Sequence, residues 1–370
     1  MSLGRCKVVQ PARDSIEAAL KQWSEPHLQK DLVSADAIRD LRVADAKVVL
    51  EVELGFPAAG YRDVLAQQLA ALIRDQTGVA EVEVEIGWRI ASHLVQPALK
   101  PLPGIKNIIA VSSGKGGVGK STTAVNLALA LAAEGARVGL LDADIYGPSL
   151  PRMLGISGRP DSRDGKKLVP LVNYGIQAMS AGFMIDEETP MIWRGPMATQ
   201  ALQQLLRDTA WQDLDYLVVD LPPGTGDIQL TLAQKVPVTG AVVVTTPQDI
   251  ALLDARKGFR MFEKVHVPVL GIVENMSTHV CSRCGHEEPI FGAGGGARMA
   301  AQYRLELLGS LPLDIRIREQ ADGGKPTVVA EPDGRLAQIY REIARKAAAR
   351  LSLQARDYSS RFPKITISNS

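Results

Sequence analysis

The pattern of apolar and polar positions along the N-terminal part of the chain combines two periodicities. Apolar residues recur at helical spacing in residues 15–23 and again in residues 61–76. They alternate with polar residues in residues 47–54 and 79–86, as in half-buried strands. The mixture predicts a small α+β domain at residues 14–93.

The segments on either side of this domain lack such a pattern. Residues 1–13 show no periodicity and are interpreted as a leader. Residues 94–106 contain three prolines and no periodicity, which predicts a stiff linker. Residues 356–370 are mostly polar and are interpreted as a tail.

Residues 107–355 follow a different rule, in which short apolar runs alternate with glycine-containing turns and helical segments. The alternation predicts an α/β fold with a mostly parallel sheet covered by helices on both faces. The strands are predicted at residues 108–112, 137–141, 216–220, 241–245 and 269–273. Ligands of such sheets bind beyond the carboxyl ends of the strands, so the chemistry is expected there.

The turn after the first of these strands carries the most specific motif of the chain. Residues 114–121 fit the phosphate-loop pattern G-x-x-x-x-G-K-[ST] at every defined position. Glycines allow successive backbone N–H groups to face phosphate oxygens, and the helix that follows adds a partial positive charge. Lys120 is predicted to reach the outer phosphates and Ser121 to hold Mg²⁺. The residues predicted to bind the nucleotide, ATP, in this loop are Gly114, Lys115, Gly116, Gly117, Val118, Gly119, Lys120, Ser121 and Thr122.

Three aspartates lie at the ends of two predicted strands, where a nucleotide-bound Mg²⁺ needs oxygen ligands or ordered water. Asp220 comes after three apolar residues and is predicted to act on Mg²⁺ through water. Asp142 is also assigned to the Mg²⁺ site, and either Asp142 or Asp144 is predicted to orient the attacking water, with Asp144 counted among the catalytic residues. The alternative is that these carboxylates cap the following turn or helix.

Lys115 is a second lysine within the loop, and cradling phosphates does not require it. It is either a solvated loop charge or a cation that acts on the phosphates of the opposite subunit, as an arginine finger does. The second interpretation predicts a dimer in which two nucleotides face each other. Lys115 and Lys120 are both assigned as catalytic.

A second motif follows the strand at residues 269–273. Cys281 and Cys284 are spaced so that one turn brings both sulfurs to the same side, which is half of a four-ligand metal site. His279 and His286 would complete a zinc site, whereas the same cysteine pair of a second subunit would complete an iron–sulfur cluster. A redox dithiol is a third alternative.

Composition narrows these alternatives only slightly. The 370 residues carry a formal net charge of +1, and no dense Lys/Arg tract suggests nucleic acid as a partner. No apolar stretch is long enough for a membrane span, and the three cysteines are too few for a disulfide framework. We expect a cytoplasmic protein without a membrane partner.

Taken together, the motifs resemble the Mrp/ApbC family of iron–sulfur cluster carrier ATPases, in the deviant-Walker group that includes MinD, ParA and the nitrogenase iron protein. The resemblance extends over residues 107–350. It rests on the phosphate loop, on residues 142–149, 220–227 and 245–248, and on residues 274–277, which lead into the cysteine pair.

The resemblance implies a homodimer in which the Cys281 and Cys284 pairs jointly hold a labile 4Fe-4S cluster. The cluster would be handed to apo iron–sulfur proteins, with cluster assembly scaffolds as further partners, and ATP would tune the transfer. The resemblance also implies that Asn275 recognises adenine. Residues 14–93 are similar to a small iron–sulfur assembly domain, a similarity carried by residues 31–34 and 38–39. Residues 56–59 lack a cysteine that such domains often have, so docking or regulation is the expected role.

A second hypothesis is a nucleotide-switched binding or positioning ATPase, similar to MinD or ParA, with a structural zinc site. Such relatives commonly end in a membrane-binding amphipathic helix. Residues 356–370 offer no wide apolar stripe, which favours the carrier hypothesis.

Overall fold

The computed structural model describes residues 13–44, 47–97, 99–162, 165, 167–184, 195–281 and 283–357. Within these residues the chain forms two compact units. The first extends to Ile90 and includes Ala348–Leu353, and the second covers Ala91–Ala347 and resumes at Gln354. The predicted domain boundaries at residues 93 and 106 stay predictions. None of the helices in the described residues is long and apolar enough to cross a membrane.

The first unit contains a three-stranded sheet, a separate pair of two-residue strands and two helices, as the α+β prediction requires. Its elements are α1 (Arg13–Gln22), β1 (Ser24–Glu25), β2 (Lys30–Asp31), β3 (Ile38–Ala44), β4 (Lys47–Leu54), α2 (Arg62–Thr77) and β5 (Glu81–Trp88). The central strand β4 pairs antiparallel with β3 and parallel with β5, and every second residue of β4 is buried. Helix α2 ends at Gly78, whose φ of 70° lets its N–H bond the Arg74 carbonyl.

The second unit is built around an eight-stranded sheet in the order β15-β12-β11-β6-β10-β7-β9-β8, in which only β8 runs antiparallel to its neighbour. Its strands in this sheet are β6 (Ile105–Ser113), β7 (Val138–Asp142), β8 (Leu171–Asn173), β9 (Ile176–Ser180), β10 (Leu214–Asp220), β11 (Gly240–Thr245), β12 (Val269–Glu274) and β15 (Leu307–Ser310). The two remaining strands, β13 (His279–Val280) and β14 (Glu287–Glu288), form a hairpin of their own.

The sheet is surrounded by helices of very different length. They are α3 (Lys120–Ala133), α4 (Leu150–Met153), α5 (Gly195–Asp208), α6 (Asp227–Lys235), α7 (Asp249–Lys264), α8 (Gly295–Tyr303), α9 (Ile315–Asp322), α10 (Thr327–Ala330) and α11 (Arg335–Ser352), with a 3₁₀ turn at Ala181–Phe183. All residues of β7, β10 and β11 are buried, which explains why most of their positions are apolar.

The predicted α/β fold is therefore confirmed, and each of the five predicted strands is present. Strands β8, β9 and β15 were not predicted, because they have only three to five residues and contain polar or glycine positions. The predicted linker includes Gln96, which is buried and donates to the carbonyls of Ala233 and Val236 at 2.8 and 3.1 Å. This glutamine fixes the chain just before β6 against the end of α6.

Candidate nucleotide site and cysteine hairpin

The phosphate loop connects the buried strand β6 to α3 in a path that requires glycine. Gly117 and Gly119 have φ angles of 79° and 82°, which side chains rarely tolerate. At Gly114 the reason is close approach, since an added Cβ would lie 2.2 Å from the carbonyl carbon of Asp254 in α7. The loop is therefore shaped by its own backbone and by the helix packed against it.

Lys120 is buried at the first position of α3 and points to the end of β10. Its Nζ donates to Asp220 Oδ1 at 2.5 Å and to Ser121 Oγ at 3.1 Å. Burial raises the pKa of Asp220, and the Lys120 ammonium group opposes that rise. The other oxygen, Asp220 Oδ2, is buried and has no hydrogen-bond partner among the described residues. Two oxygens suited to Mg²⁺, Ser121 Oγ and Asp220 Oδ2, thus lie beside the lysine.

Asp142 lies opposite Asp220 on the neighbouring strand β7, and its carboxylate accepts several hydrogen bonds from nearby residues. Its Oδ1 accepts from the Asp144 N–H at 3.1 Å, and its Oδ2 accepts from the N–H groups of Ser149 and Leu150 and from Ser180 Oγ at 3.0 to 3.2 Å. Burial and the nearby Asp220 charge raise the pKa of Asp142 to about 7. These contacts resemble the capping alternative, and a role at Mg²⁺ stays a prediction.

Ser180 is a residue of the candidate site that was not predicted from the sequence. It ends β9, where it binds Asp142 and also accepts from the Gly182 N–H at 3.0 Å. Ser180 fits the expectation that the chemistry lies at the carboxyl ends of the strands, but β9 was not predicted from the sequence.

Two predicted catalytic residues occupy the edge of this site. Asp144 is half-buried, and burial raises its pKa while the Lys120 charge opposes the rise. Lys115 is also half-buried, and its carbonyl accepts from Ser113 Oγ at 2.9 Å, which fixes the loop backbone at this residue. The catalytic roles of both side chains stay predictions.

Asn275, the residue after β12, contacts the phosphate loop directly. Its Nδ2 donates to the Val118 carbonyl at 2.9 Å, and its backbone N–H donates to the Thr245 carbonyl at 2.7 Å. A Cβ added to Gly119 would lie 2.2 Å from this Nδ2. The predicted contact with adenine is not tested by these bonds. The contact with the loop was not predicted.

The two cysteines lie on the turn of the small hairpin formed by β13 and β14, which we name the cysteine hairpin (residues 279–288). The Cys281 N–H donates to the His286 carbonyl, and the Gly285 N–H donates to the Cys281 carbonyl, both at 2.9 Å. Cys284 is exposed and Cys281 is partly exposed. Backbone N–H groups of Arg283 and Cys284 lower the pKa of Cys281, which favours the thiolate that metals bind.

The two histidines that would complete a zinc site are less well placed. His279 is exposed, and its ring nitrogen Nδ1 lies 3.4 Å from the Leu313 carbonyl oxygen, while His286 is exposed on the other side of the turn. In the part of the chain that the structure describes, no three His, Cys, Asp or Glu side chains are grouped to hold a metal ion. The structure thus brings the two cysteines to one turn without adding the histidines to them.

Comparison with known proteins places both units in an iron–sulfur context. The family described as "NUBPL iron-transfer P-loop NTPase" matches residues 104–348, and the family described as "Iron-sulfur cluster assembly protein" matches residues 13–86. The iron–sulfur cluster carrier protein of Salmonella typhimurium is 52% identical over 343 residues, which are 92% of this chain and 93% of that protein. The iron–sulfur cluster transfer protein NUBPL of Mus musculus is 52% identical over 257 residues, or 69% and 81% of the two chains.

A solved structure is also similar to a large part of this chain. The nucleotide-binding protein of Archaeoglobus fulgidus, solved in complex with ADP, is 38% identical with a TM-score of 0.55, covering 62% of this chain and 90% of that one. These matches confirm the resemblance that the motifs predicted. Since the family match spans most of the chain and the bacterial relative covers 92% of it, the chain belongs to the family of NUBPL iron-transfer P-loop NTPases.

Proposed function

We propose that this protein is an ATP-hydrolysing carrier that assembles a 4Fe-4S cluster and transfers it to apo-proteins. The observation that carries the proposal is the cysteine hairpin, which presents Cys281 and Cys284 at the surface of the unit that contains the phosphate loop. The pKa of Cys281 is lowered by nearby backbone N–H groups, which favours the thiolate, the form that binds iron.

The proposed carrier is a homodimer. A 4Fe-4S cluster takes four thiolates, and one cysteine hairpin supplies two. A second copy of the chain supplies the other two, so that the cluster is cargo held between subunits. An exposed turn suits this purpose, because cluster assembly scaffolds and apo-proteins must reach the cargo to load or remove it.

The nucleotide site supports hydrolysis of ATP. Ser121 Oγ and the unpartnered Asp220 Oδ2 fit Mg²⁺, with Ser121 as a direct ligand and Asp220 acting through water. The ion would neutralise charge on the outer phosphates. Lys120 would turn from Asp220 toward the same phosphates, Asp144 would orient the attacking water, and Lys115 would reach the phosphates of the opposite subunit.

Metal and sulfide content after anaerobic reconstitution tests the proposal. We expect about four iron and about four sulfide per dimer and a broad visible absorption. Cys281→Ser and Cys284→Ser should each abolish the cluster while MgADP still binds, because the thiols and the phosphate loop are separate. Cys6→Ser is the matched cysteine control and should keep the cluster.

Two results would contradict the carrier function. One is zinc retained at one per monomer without iron uptake, which is the outcome of the positioning-ATPase hypothesis. The other is iron and sulfide content that is unchanged in Cys281→Ser and Cys284→Ser, whereas equal loss of cluster and nucleotide binding would indicate only that the substitutions unfold the unit.

A further inference from the structure

The start of the cysteine hairpin is attached to the phosphate loop through a short joint, which we define as Asn275 and Met276. The Asn275 side chain bridges two segments, since Nδ2 donates to the Val118 carbonyl and Oδ1 accepts from the Met276 N–H, both at 2.9 Å. Met276 has a φ of 56°, an uncommon conformation for a residue with a side chain. The joint therefore has a defined shape that depends on the position of the loop.

The chain between the joint and the thiols is hydrogen-bonded to a neighbouring segment. Ser277 donates to the Leu311 carbonyl through its N–H at 2.9 Å and through Oγ at 3.1 Å. The Leu313 N–H then donates to the Thr278 carbonyl at 2.7 Å. Only five residues separate Asn275 from Cys281. A shift of the joint thus reaches the cysteines through bonded contacts rather than through a loose loop.

The segment that follows the cysteine hairpin returns to the joint. The chain that leaves it enters α8, where the Gly296 N–H donates to the buried carboxylate of Glu274, the residue before the joint. Gly295 packs so closely that an added Cβ would lie 2.8 Å from the Pro247 carbonyl oxygen. The start of α8, which follows the cysteine hairpin in the chain, is therefore fixed beside the joint.

We propose that Asn275 is a positioning residue that couples occupancy of the phosphate loop to the exposure of the cysteine thiols. Nucleotide phosphates bind the backbone N–H groups of the loop, and the Val118 carbonyl belongs to the same short backbone segment. A change in that segment changes the bond to Asn275 and hence the joint. The inference rests on the proposed function for its purpose, since the thiols are the proposed cluster ligands.

The test measures the reactivity of the thiols in the apo-protein, so it requires neither a bound cluster nor cluster transfer. In a Cys6→Ser background under reducing, anaerobic conditions, the rate of alkylation of the two hairpin thiols is measured with and without MgADP. The nucleotide concentration is set by titration to saturate each variant. Asn275→Ala removes the bonds to Val118 and Met276. Iron and sulfide content is measured separately, so that failure of the coupling and failure of the carrier function are distinguished.

The chain offers a closely matched control. Asn126 in α3 also donates to a carbonyl near the loop, that of Thr122 at 3.0 Å, and also accepts a backbone N–H, that of Val328 at 3.1 Å. Asn126→Ala thus removes two bonds of the same kind without touching the joint. Unfolding temperatures of both variants show whether each is folded.

We expect saturating MgADP to change the alkylation rate at least about fivefold in the parent and in Asn126→Ala, and less than about twofold in Asn275→Ala. If Asn275→Ala fails to fold or to bind MgADP, Met276→Gly is the variant that tests the coupling. This substitution loosens the joint without removing the hydrogen bond to Val118. A reduced response in Met276→Gly supports the coupling. A parent protein without a response, or a full response in the variant that decides, would overturn it.

Discussion

The phosphate loop offers a series of glycine-to-alanine substitutions that separates backbone strain from close packing. Gly116 has open space where a methyl group would lie and no positive φ, whereas Gly117 has open space but a φ of 79°. Gly119 combines a φ of 82° with a contact of 2.2 Å to Asn275 Nδ2. At Gly114 the 2.2 Å contact is with the carbonyl carbon of Asp254 in α7, which is backbone.

The expected losses of unfolding free energy follow from these differences. Gly116→Ala should stay within about 0.5 kcal/mol of the parent. Gly117→Ala should cost about 1 kcal/mol for the left-handed conformation. Gly119→Ala should cost about 1 kcal/mol more than Gly117→Ala, because the methyl group displaces the Asn275 amide from Val118. Gly114→Ala should cost about 3 kcal/mol or more, since helix backbone must move.

Urea denaturation of the four variants, followed by circular dichroism, measures these free energies, and calorimetry with MgADP measures nucleotide affinity. The affinity should fall in the same order as stability for Gly117→Ala and Gly119→Ala, because both distort the loop that faces the phosphates. Equal stability of these two variants would refute the inferred contribution of the Asn275 contact. A Gly114→Ala protein as stable as Gly116→Ala would refute the packing of α7 against the loop.

Two further predictions concern charged residues. Lys115→Ala should lower ATP hydrolysis by about a thousandfold if the lysine acts across the dimer, and a loss no greater than that of the exposed control Lys257→Ala would refute this role. Burial tends to raise the pKa of Asp215, but hydrogen bonds from Arg137 and Lys106 outweigh it and hold the pKa below its usual value. The stability that ionised Asp215 gives the fold is therefore present at pH values above the pKa of this residue in the unfolded chain. It is lost as the pH falls through the lower pKa of Asp215 in the folded protein. Asp215→Asn should lower stability by about 1 to 2 kcal/mol at neutral pH and by less near about pH 3, and a pH-independent difference in acid denaturation would contradict the assignment.

The central strands were predictable from sequence because they are buried on both faces. Every residue of β10 is buried, so its apolar run carries a clear signal. The edge strand β8 has three residues, none of them buried, and the same signal is missing. Residues whose side chains bond neighbouring backbone, such as Ser180, could not be assigned a role because the strand that presents them was not recognised.

The contact of Asn275 with the phosphate loop could not be predicted from the sequence, for a different reason. It joins residues 157 positions apart, and only the strand order makes them neighbours. Strand β11 lies between β6 and β12, with Val244 opposite Ser113 and Thr245 opposite Glu274, so the ends of the three strands are level. Asn275 makes two hydrogen bonds at these strand ends. Its backbone N–H donates to Thr245 at the end of β11, and its side chain donates to Val118 in the phosphate loop that follows β6. Because the next residues of the chain lead to the cysteines, the sheet order itself places the thiols within reach of any change in the loop, and a relative with the same two motifs but a different residue at this position should lack the coupling.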